Sequence, residues 1–592
     1  MRFSLWGLAT VVGVSKVSAF AITNDHQYRL GAKNKVAVDA EAKSEVNRLG
    51  CDQSRPVDPS GDGLLSADKL FSGQRAIDEL VERHRPLVQI ESVCYDDLGD
   101  YDDDERWQPF ADISEFLKKT YPKVHEYATL ETVNKYGLVY TVQGSDQSLA
   151  PILLTAHQDV VPVENETLDQ WEYPPFEGHY NKEDGYLRGR GVVDKSAVTG
   201  IMYALEALLS QEEYEPSRTV IVGFGFDQEC SGFRSGGAGE ISKYLEEKYG
   251  RNGLTVILDG GGAGFQNLGD TLYALPAVYE KGYLDVWFDL EVLGGHSGVP
   301  TPHTSIGIMS EITTKLEANP FQPVIIRNSP IHEGLTCLAR YSPRAYPALT
   351  QALRWGDLKG AAYALTQISP DSKYSIQTSQ AVNSICAGNN LNSLPEVVTL
   401  GVNHRIAPQD SFGDVQYRIA YLAQDIARKY NLKFSAFQGD RDYMEYLDAK
   451  GIAPQSEDTS NSQWPPQNYN GKLTVQARDK SYVTPASPTS GAIWDLFAGT
   501  VRHTFARQSH NVVVAPGTMT GNTDTRHYLN LSRNIYRWSP MSLRSFGNIH
   551  TINDRLLMSE HVDMVRFYYD FVRNFDKDNE WDIQMKRERK DL

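Results

Sequence analysis

The sequence predicts an α/β fold with a mostly parallel sheet, into which a second unit of α+β type is inserted. Three observations carry that prediction. From about residue 75, short apolar runs alternate with helical stripes, the order that builds a parallel sheet covered by helices. From about Tyr283 the apolar period changes to two, and a strand-helix-strand, strand-helix-strand order suggests a split βαβ, ferredoxin-like unit. Helical patterns return at 492–504 and 561–575, so the last part of the chain is expected to rejoin the first unit. With 592 residues, a single core is not expected.

Taken in order, residues 1–21 read as a signal peptide. Arg2 supplies the positive end, Leu5 to Val14 the apolar stretch, and Ala19-Phe20-Ala21 a small-residue cleavage site. The apolar stretch is about half of the ~20 residues that span a bilayer, and a short signal anchor is the alternative reading. No other run is long and apolar enough, so no membrane span is expected once the leader is removed. Residues 22–75 form a polar extension broken by Pro56, Pro59 and Gly61-Asp-Gly63.

The first part of the main unit is placed at 76–282. Residues 137–143, 151–156, 219–225 and 254–258 are strand-like. Helices are predicted over 195–209, where Val198, Ile201, Met202, Leu205, Leu208 and Leu209 share a stripe, and around 238–247. The inserted unit is placed at 283–478, with strands at 284–292 and 397–406 and helices at 306–316 and 416–430. Residues 440–475, rich in Gln, Asn, Ser, Asp and Pro, read as a long surface excursion. The main unit resumes at 479–592.

Composition narrows the partners. A formal net charge of −18 without a basic run excludes a nucleic-acid surface, which needs clustered cations. Two sequons, Asn165-Glu-Thr167 and Asn530-Leu-Ser532, fit a secretory route and make Asn165 and Asn530 candidate glycosylation sites. Of the five cysteines, Cys51–Cys94 and Cys337–Cys386 are plausible pairs with Cys230 left over; sequence does not settle the connectivity.

Four strings hold candidate metal ligands: Leu-Leu-Thr-Ala-His157-Gln-Asp159, Gly189-Arg-Gly-Val-Val-Asp194-Lys, Asp227-Gln228-Glu229 and Ile-Leu-Asp259-Gly-Gly. His550 lies far downstream. His157, Asp194, Glu229, Asp259 and His550 supply two imidazoles and three carboxylates, a mix that suits a pair of zinc-like ions. His157, Gln228/Glu229 and Asp259 fall at or just past predicted strand ends, where open α/β sheets bind ligands.

The chain resembles the two-zinc exopeptidase and deacylase superfamily of aminoacylase, acetylornithine deacetylase and carboxypeptidase S, and within it the carboxypeptidase S (Gly-X carboxypeptidase) branch. The resemblance covers about residues 75–575. It rests on Thr-Ala-His157-Gln-Asp159-Val-Val-Pro, Trp171-Glu-Tyr-Pro-Pro-Phe, Gly189-Arg-Gly-Val-Val-Asp194-Lys, Glu280-Lys-Gly, Gly294-Gly-His296-Ser, Thr523-Asp-Thr-Arg-His-Tyr528 and His550-Thr-Ile-Asn. It implies a zinc-exopeptidase catalytic domain with the insert as its lid. It also implies two Zn²⁺ per chain, with Asp194 bridging, His157 and Asp259 completing one site, and Glu229 and His550 the other. Asp159 would orient His157. In the lid, His296 would polarise the substrate carbonyl, and Asn392 and Arg405 would bind substrate, with Lys281 and Arg526 as weaker candidates.

The resemblance implies a secreted or vacuolar metallo-carboxypeptidase acting on small peptides, or on the amide of N-acyl amino acids, and a homodimer formed through the lid. Two positions depart from the pattern. The branch has a Glu before its ligand Glu, the general base, where this chain has Gln228. It often has Asp-Glu-Gly-Gly where this chain has Asp259-Gly260-Gly-Gly. An amide holds a water by hydrogen bonds but does not accept its proton at neutral pH. The alternative readings are therefore a paralogue that binds metal and peptide without efficient turnover, or a slow hydrolase that needs no protein base. Asp227, one methylene shorter and pointing the other way along an extended segment, is a poor substitute.

Overall fold

The computed structural model describes residues 49–230, 236–453, 469, 471–506 and 511–576. The expected signal peptide lies outside them, as do residues 22–48 of the extension and residues 454–468 of the predicted excursion. The first strands are β1 (Ala128–Val133), β2 (Gly137–Val142), β3 (Ile152–His157), β4 (Val220–Gly225), β5 (Val256–Leu268) and β6 (Ala277–Glu280). Helices α1 (Gly73–Val88), α2 (Ser196–Leu209) and α3 (Ala238–Tyr249) alternate with them.

Period-two alternation puts neighbouring strand residues into different layers. Leu154 packs in the core that holds Leu80, Val198 and Phe567, whereas Leu153 packs with Ile241, Leu245 and Tyr528 on the other face. Each buried leucine contributes about 1.5–3 kcal/mol of hydrophobic stabilisation. Both faces of the sheet are thereby covered, and β3 runs parallel to both β4 and β5. The C-terminal ends of β3 and β4 share one edge, the edge that carries His157 and the segment after Gly225, and β5 runs past it.

One boundary differs from expectation. Instead of ending before Asp259, β5 continues to Leu268, so this carboxylate projects from within a strand. Ser539 makes the continuation feasible: its Oγ accepts from Gly261 N–H (3.1 Å) and donates to Gly261 O (2.8 Å) where the pairing register shifts.

The insert is a five-stranded sheet in the order β9-β11-β7-β13-β12, formed by β7 (Gly282–Glu291), β9 (Ala381–Ala387), β11 (Val397–Ile406), β12 (Lys433–Ala436) and β13 (Lys472–Ser481). A separate ribbon pairs β8 (Gly295–His296) with β10 (Ser393–Leu394). Alternate residues Leu284, Val286, Phe288 and Leu290 are buried beneath α4 (Ser305–Glu317) and α5 (Phe412–Lys429). Two features of this unit differ from expectation. Four short helices between Pro330 and Ser375 enclose their own apolar core around Leu349, Ala361 and Leu365. The predicted surface excursion contains α6 (Arg441–Lys450) and the first four residues of β13: Asp440 caps α6, which buries Tyr443 and Leu447, while β13 buries Leu473 and Val475.

The returning chain adds α7 (Ala492–Phe505), β14 (Gly517–Met519), β15 (Ile535–Ser542) and α8 (Met558–Phe575). The path through the large sheet becomes β1-β2-β4-β3-β5-β15-β6-β14, with parallel pairing at its centre and an antiparallel β1–β2–β4 edge. Residues 49–75 wrap this unit. Arg573 of α8 grips Asp62 with two hydrogen bonds, Nε to Oδ2 and Nη2 to Oδ1, both 2.7 Å.

The disulfides are Cys51–Cys337 and Cys94–Cys230, leaving Cys386 free and exposed, and this corrects the pairing drawn from the sequence. Tertiary proximity decides the matter, with Cα separations of 5.1 and 5.2 Å across 286 and 136 residues of chain. Among the described residues no helix is long and apolar enough to cross a membrane.

Candidate metal centre

His157 is the last residue of β3, and its ring is set by the residue two further on. Nδ1 lies 3.2 Å from Asp159 Oδ1 and 3.0 Å from Asp159 O, which leaves Nε2 facing away. The other oxygen of fully buried Asp159, Oδ2, accepts from the Glu229 N–H at 2.7 Å. One carboxylate thereby orients an imidazole and locates the neighbouring candidate ligand. His157 Nε2 stands 4.0 Å from Glu229 Oε1.

Asp194 and His550 arrive from opposite ends of the chain. His550 Nε2 is 3.3 Å from Asp194 Oδ1 and 3.5 Å from Glu229 Oε1. Donor atoms of Asp194, Glu229 and His550 all lie within 4.8 Å of one another. Asp259 is outside that tight group. It pairs through the backbone with Thr155, two residues before His157, so its side chain projects from the same face of the sheet. Asp194 Oδ2 and Asp259 Oδ2 are buried with no hydrogen-bond partner among the described residues.

Such oxygens are costly to bury unless a cation compensates them. The protonation states report the same stress. Burial, with Asp194 beside it, pushes Glu229 up to about 7. Burial pushes Asp259 up to about 7. The hydrogen bond to Asp194 raises His550 to about 8. For His157, burial acts to lower the pKa, but the bond to Asp159 and the surrounding carboxylates prevail and hold it well above the usual imidazole value. Partly buried Asp194 and Glu229 oxygens meeting the exposed His550 ring, with His157 and Asp259 on the same edge of the sheet, fit divalent cations.

Gln228 and Asp227 occupy different surroundings. Gln228 Oε1 accepts from Asp524 N–H at 3.4 Å. Asp227 Oδ2 accepts from Gly236 N–H at 2.7 Å, just ahead of α3, so this carboxylate is occupied at the helix start.

The lid candidates are divided. Arg405 Nη1 donates to Asn522 Oδ1 at 2.6 Å and its guanidinium lies 4.7 Å over Tyr283. Asn522 adjoins Thr523 and Asp524, so Arg405 reaches the segment that meets Gln228. Lys281 Nζ donates to the carbonyls of Tyr374 and Gln377. His296 and Asn392 sit together: Asn392 O accepts from Ser297 N–H at 3.2 Å, and His296 Nδ1 accepts from Gly298 N–H at 2.9 Å. Both are exposed, and no hydrogen bond or ion pair among the described residues joins them to the ligand group. Asn165 and Asn530 are exposed as well.

Sequence reasoning missed the buried pair Arg190–Asp554. Arg190 Nη1 lies 3.7 Å from Asp554 Oδ2, which also accepts from Gly191 N–H at 3.3 Å, while Asp554 O accepts from Gly189 N–H at 2.9 Å. These bonds staple the Asp194 loop to the His550 loop. Arg190 stood inside a recognised motif, but a partner more than three hundred residues away leaves no local signal.

Comparison with known proteins supplies the setting. Residues 153–574 match peptidase family M20/M25/M40. The chain is 38% identical over 519 residues to a carboxypeptidase of Schizosaccharomyces pombe, covering 86% of this chain and 82% of that one. It is 34% identical over 551 residues to carboxypeptidase S of Saccharomyces cerevisiae, covering 90% of each. At 28% over 505 residues it is similar to an N-fatty-acyl-amino acid synthase/hydrolase of Mus musculus, covering 84% of this chain and 87% of that one. In fold it is similar to an M20 family metallo-carboxypeptidase of Sulfolobus solfataricus, with a TM-score of 0.54, 14% identity, and coverage of 84% and 99%.

Proposed function

The chain belongs to peptidase family M20/M25/M40, and from that premise we infer that its site is a two-zinc centre hydrolysing the C-terminal peptide bond of small peptides. The observation that carries the reading is the convergence of Asp194, Glu229 and His550 beside an oriented His157. His157, Asp194 and Asp259 would hold one ion, and Asp194, Glu229 and His550 the other. When bound, the ions supply an acidified water and a positive field for the carbonyl.

The chain's own groups do the rest. Asp159 keeps His157 in the tautomer that presents Nε2. Arg405, backed by Asn522, grips the substrate's free carboxylate, and Asn392 contacts the substrate. His296, delivered by movement of the lid, donates to the developing oxyanion. Gln228 holds the attacking water by hydrogen bonding but does not remove its proton, so proton transfer is the slow step. The N-acyl amino acid reading uses the same amide bond and the same carboxylate grip. A second reading, a metal-binding paralogue without efficient turnover, is favoured by the same glutamine and by the commitment of Asp227 to α3.

The test is an assay of zinc-loaded protein on Gly-Leu-type dipeptides and on N-acyl amino acids, beside Gln228→Glu. Measurable wild-type turnover supports the hydrolase. A silent wild type with an active Glu variant establishes the impaired reading, and silence in both overturns the substrate class. A secretory route to the vacuole or exterior, glycans on Asn165 and Asn530, and a homodimer complete the proposal.

A further inference from the structure

We propose that the Cys94–Cys230 disulfide is a positioning device for the metal site, setting where Glu229 stands relative to His157. The proposal rests on the reading of Glu229 as a ligand. Cys230 follows Glu229 directly in the chain, so one half of the bond is a single peptide link from a candidate ligand. The other half is tied to the opposite string. Cys94 N–H donates to Val160 O and Val160 N–H donates to Ser92 O, both at 3.0 Å, and Ser92 Oγ donates to Gln158 O at 2.7 Å. Cys94 is therefore fastened to the segment running on from His157 through Asp159.

Asp159 closes a ring between the two strings. Its Oδ1 faces His157 Nδ1 and its Oδ2 receives the Glu229 N–H. The hydrogen bond restrains Glu229 at its own nitrogen, and the disulfide restrains it one residue later. Such a second restraint matters here because β4 ends at Gly225, and the ladder that aligns His157 with Gly225 goes no further. Cys94 is 1% exposed and sits among Leu98, Trp107, Phe110, Tyr136 and Phe226, so its anchor is a packed apolar cluster. Outer groups that orient ligands typically change metal affinity by about 10–100-fold when removed. The second disulfide, Cys51–Cys337, makes an internal control, since it joins the N-terminal segment to a lid helix and adjoins none of the candidate ligands.

The experiment uses the full chain with Cys94→Ala/Cys230→Ala, beside Cys51→Ala/Cys337→Ala, in competitive zinc titrations and with Co²⁺ absorption as a reporter of ligand geometry. The expected result is about 10–100-fold weaker binding of one of two ions in the first variant, an altered Co²⁺ spectrum, and peptidase activity restored by excess zinc. The control keeps wild-type affinities for both ions, whatever its thermal stability. Should the first variant not accumulate, Cys94→Ala/Cys230→Val keeps the apolar cluster filled. Wild-type affinity in either variant lacking Cys94–Cys230 overturns the proposal, as does an equal loss in the control. A wild type that takes up no zinc overturns the ligand reading itself, before any variant is compared.

Discussion

At position 228 an amide stands where the proposed proton transfer asks for a carboxylate. The two groups share a shape, so Gln228→Glu should fit the same space and accept the same Asp524 N–H. The gain should appear in kcat, by roughly 10²–10⁴-fold, with KM little changed, in steady-state kinetics of zinc-loaded protein. His550 offers a second test. It adopts φ 62° between Asn548 and Asn553, themselves at 60° and 59°, and a left-handed non-glycine residue is tolerated mainly where surrounding contacts impose it. His550→Ala is expected to lower bound zinc from about two ions per chain to one by elemental analysis, as the ligand count implies. His157, Asp194 and Gln228 were legible as single letters in motifs. The orphaned Asp194 Oδ2 and Asp259 Oδ2 were not, because hydrogen-bond satisfaction is a property of surroundings.

Among the elements, the β4–α3 connection separates structure from chemistry. Asp227 is buried, and burial raises it to about 6, yet its Oδ2 receives Gly236 N–H ahead of α3. Asp227→Ala should cost about 1 kcal/mol in denaturant unfolding, the usual effect of losing one partly buried hydrogen bond. Asp227→Asn should leave kcat unchanged; a collapse of kcat there would mean that Asp227 is the missing base. The loop before α2 is similarly specific. Gly191 adopts φ 77°, and a Cβ there would overlap Val160, so both conformation and space require glycine at the turn presenting Asp194. Strand and helix positions were readable because apolar periodicity is local. The helical insert between Pro330 and Ser375 escaped because three of its four helices are only 6 to 9 residues long.

For the whole molecule, metal, pH and stability are linked. Without cations, Glu229 and Asp259 are raised to about 7 and His550 to about 8. The folded apo-protein therefore holds protons that the unfolded chain releases, and its stability falls as pH rises from the ordinary carboxylate range through 7 to 8. Bound cations need the deprotonated forms, so their stabilisation is largest at pH 8 and is lost as pH falls through that window. A chelator should consequently lower Tm more at pH 8 than at pH 6 in calorimetry; an equal shift at both pH values would contradict the assignment. The proposed homodimer would form through the lid. Strand β9 is an edge of its sheet and carries exposed Ile385, with exposed Leu391 and Val397 nearby. Sedimentation velocity should show a homodimer, shifted toward monomer by Ile385→Lys.

By itself the sequence determined the α/β class, the inserted α+β unit and the identities of the candidate ligands, because strand and helix periods and short motifs are written in neighbouring residues. Tertiary structure alone decided which cysteines join, how Asp159 divides its two oxygens between His157 and Glu229, and that Arg190 and Asp554 fasten the Asp194 and His550 loops together. The physical reason is range. These contacts close only when β3 and β4 align their ends beside β5 and the returning chain lays His550 and Asp554 next to them, and no local pattern encodes distances across hundreds of residues.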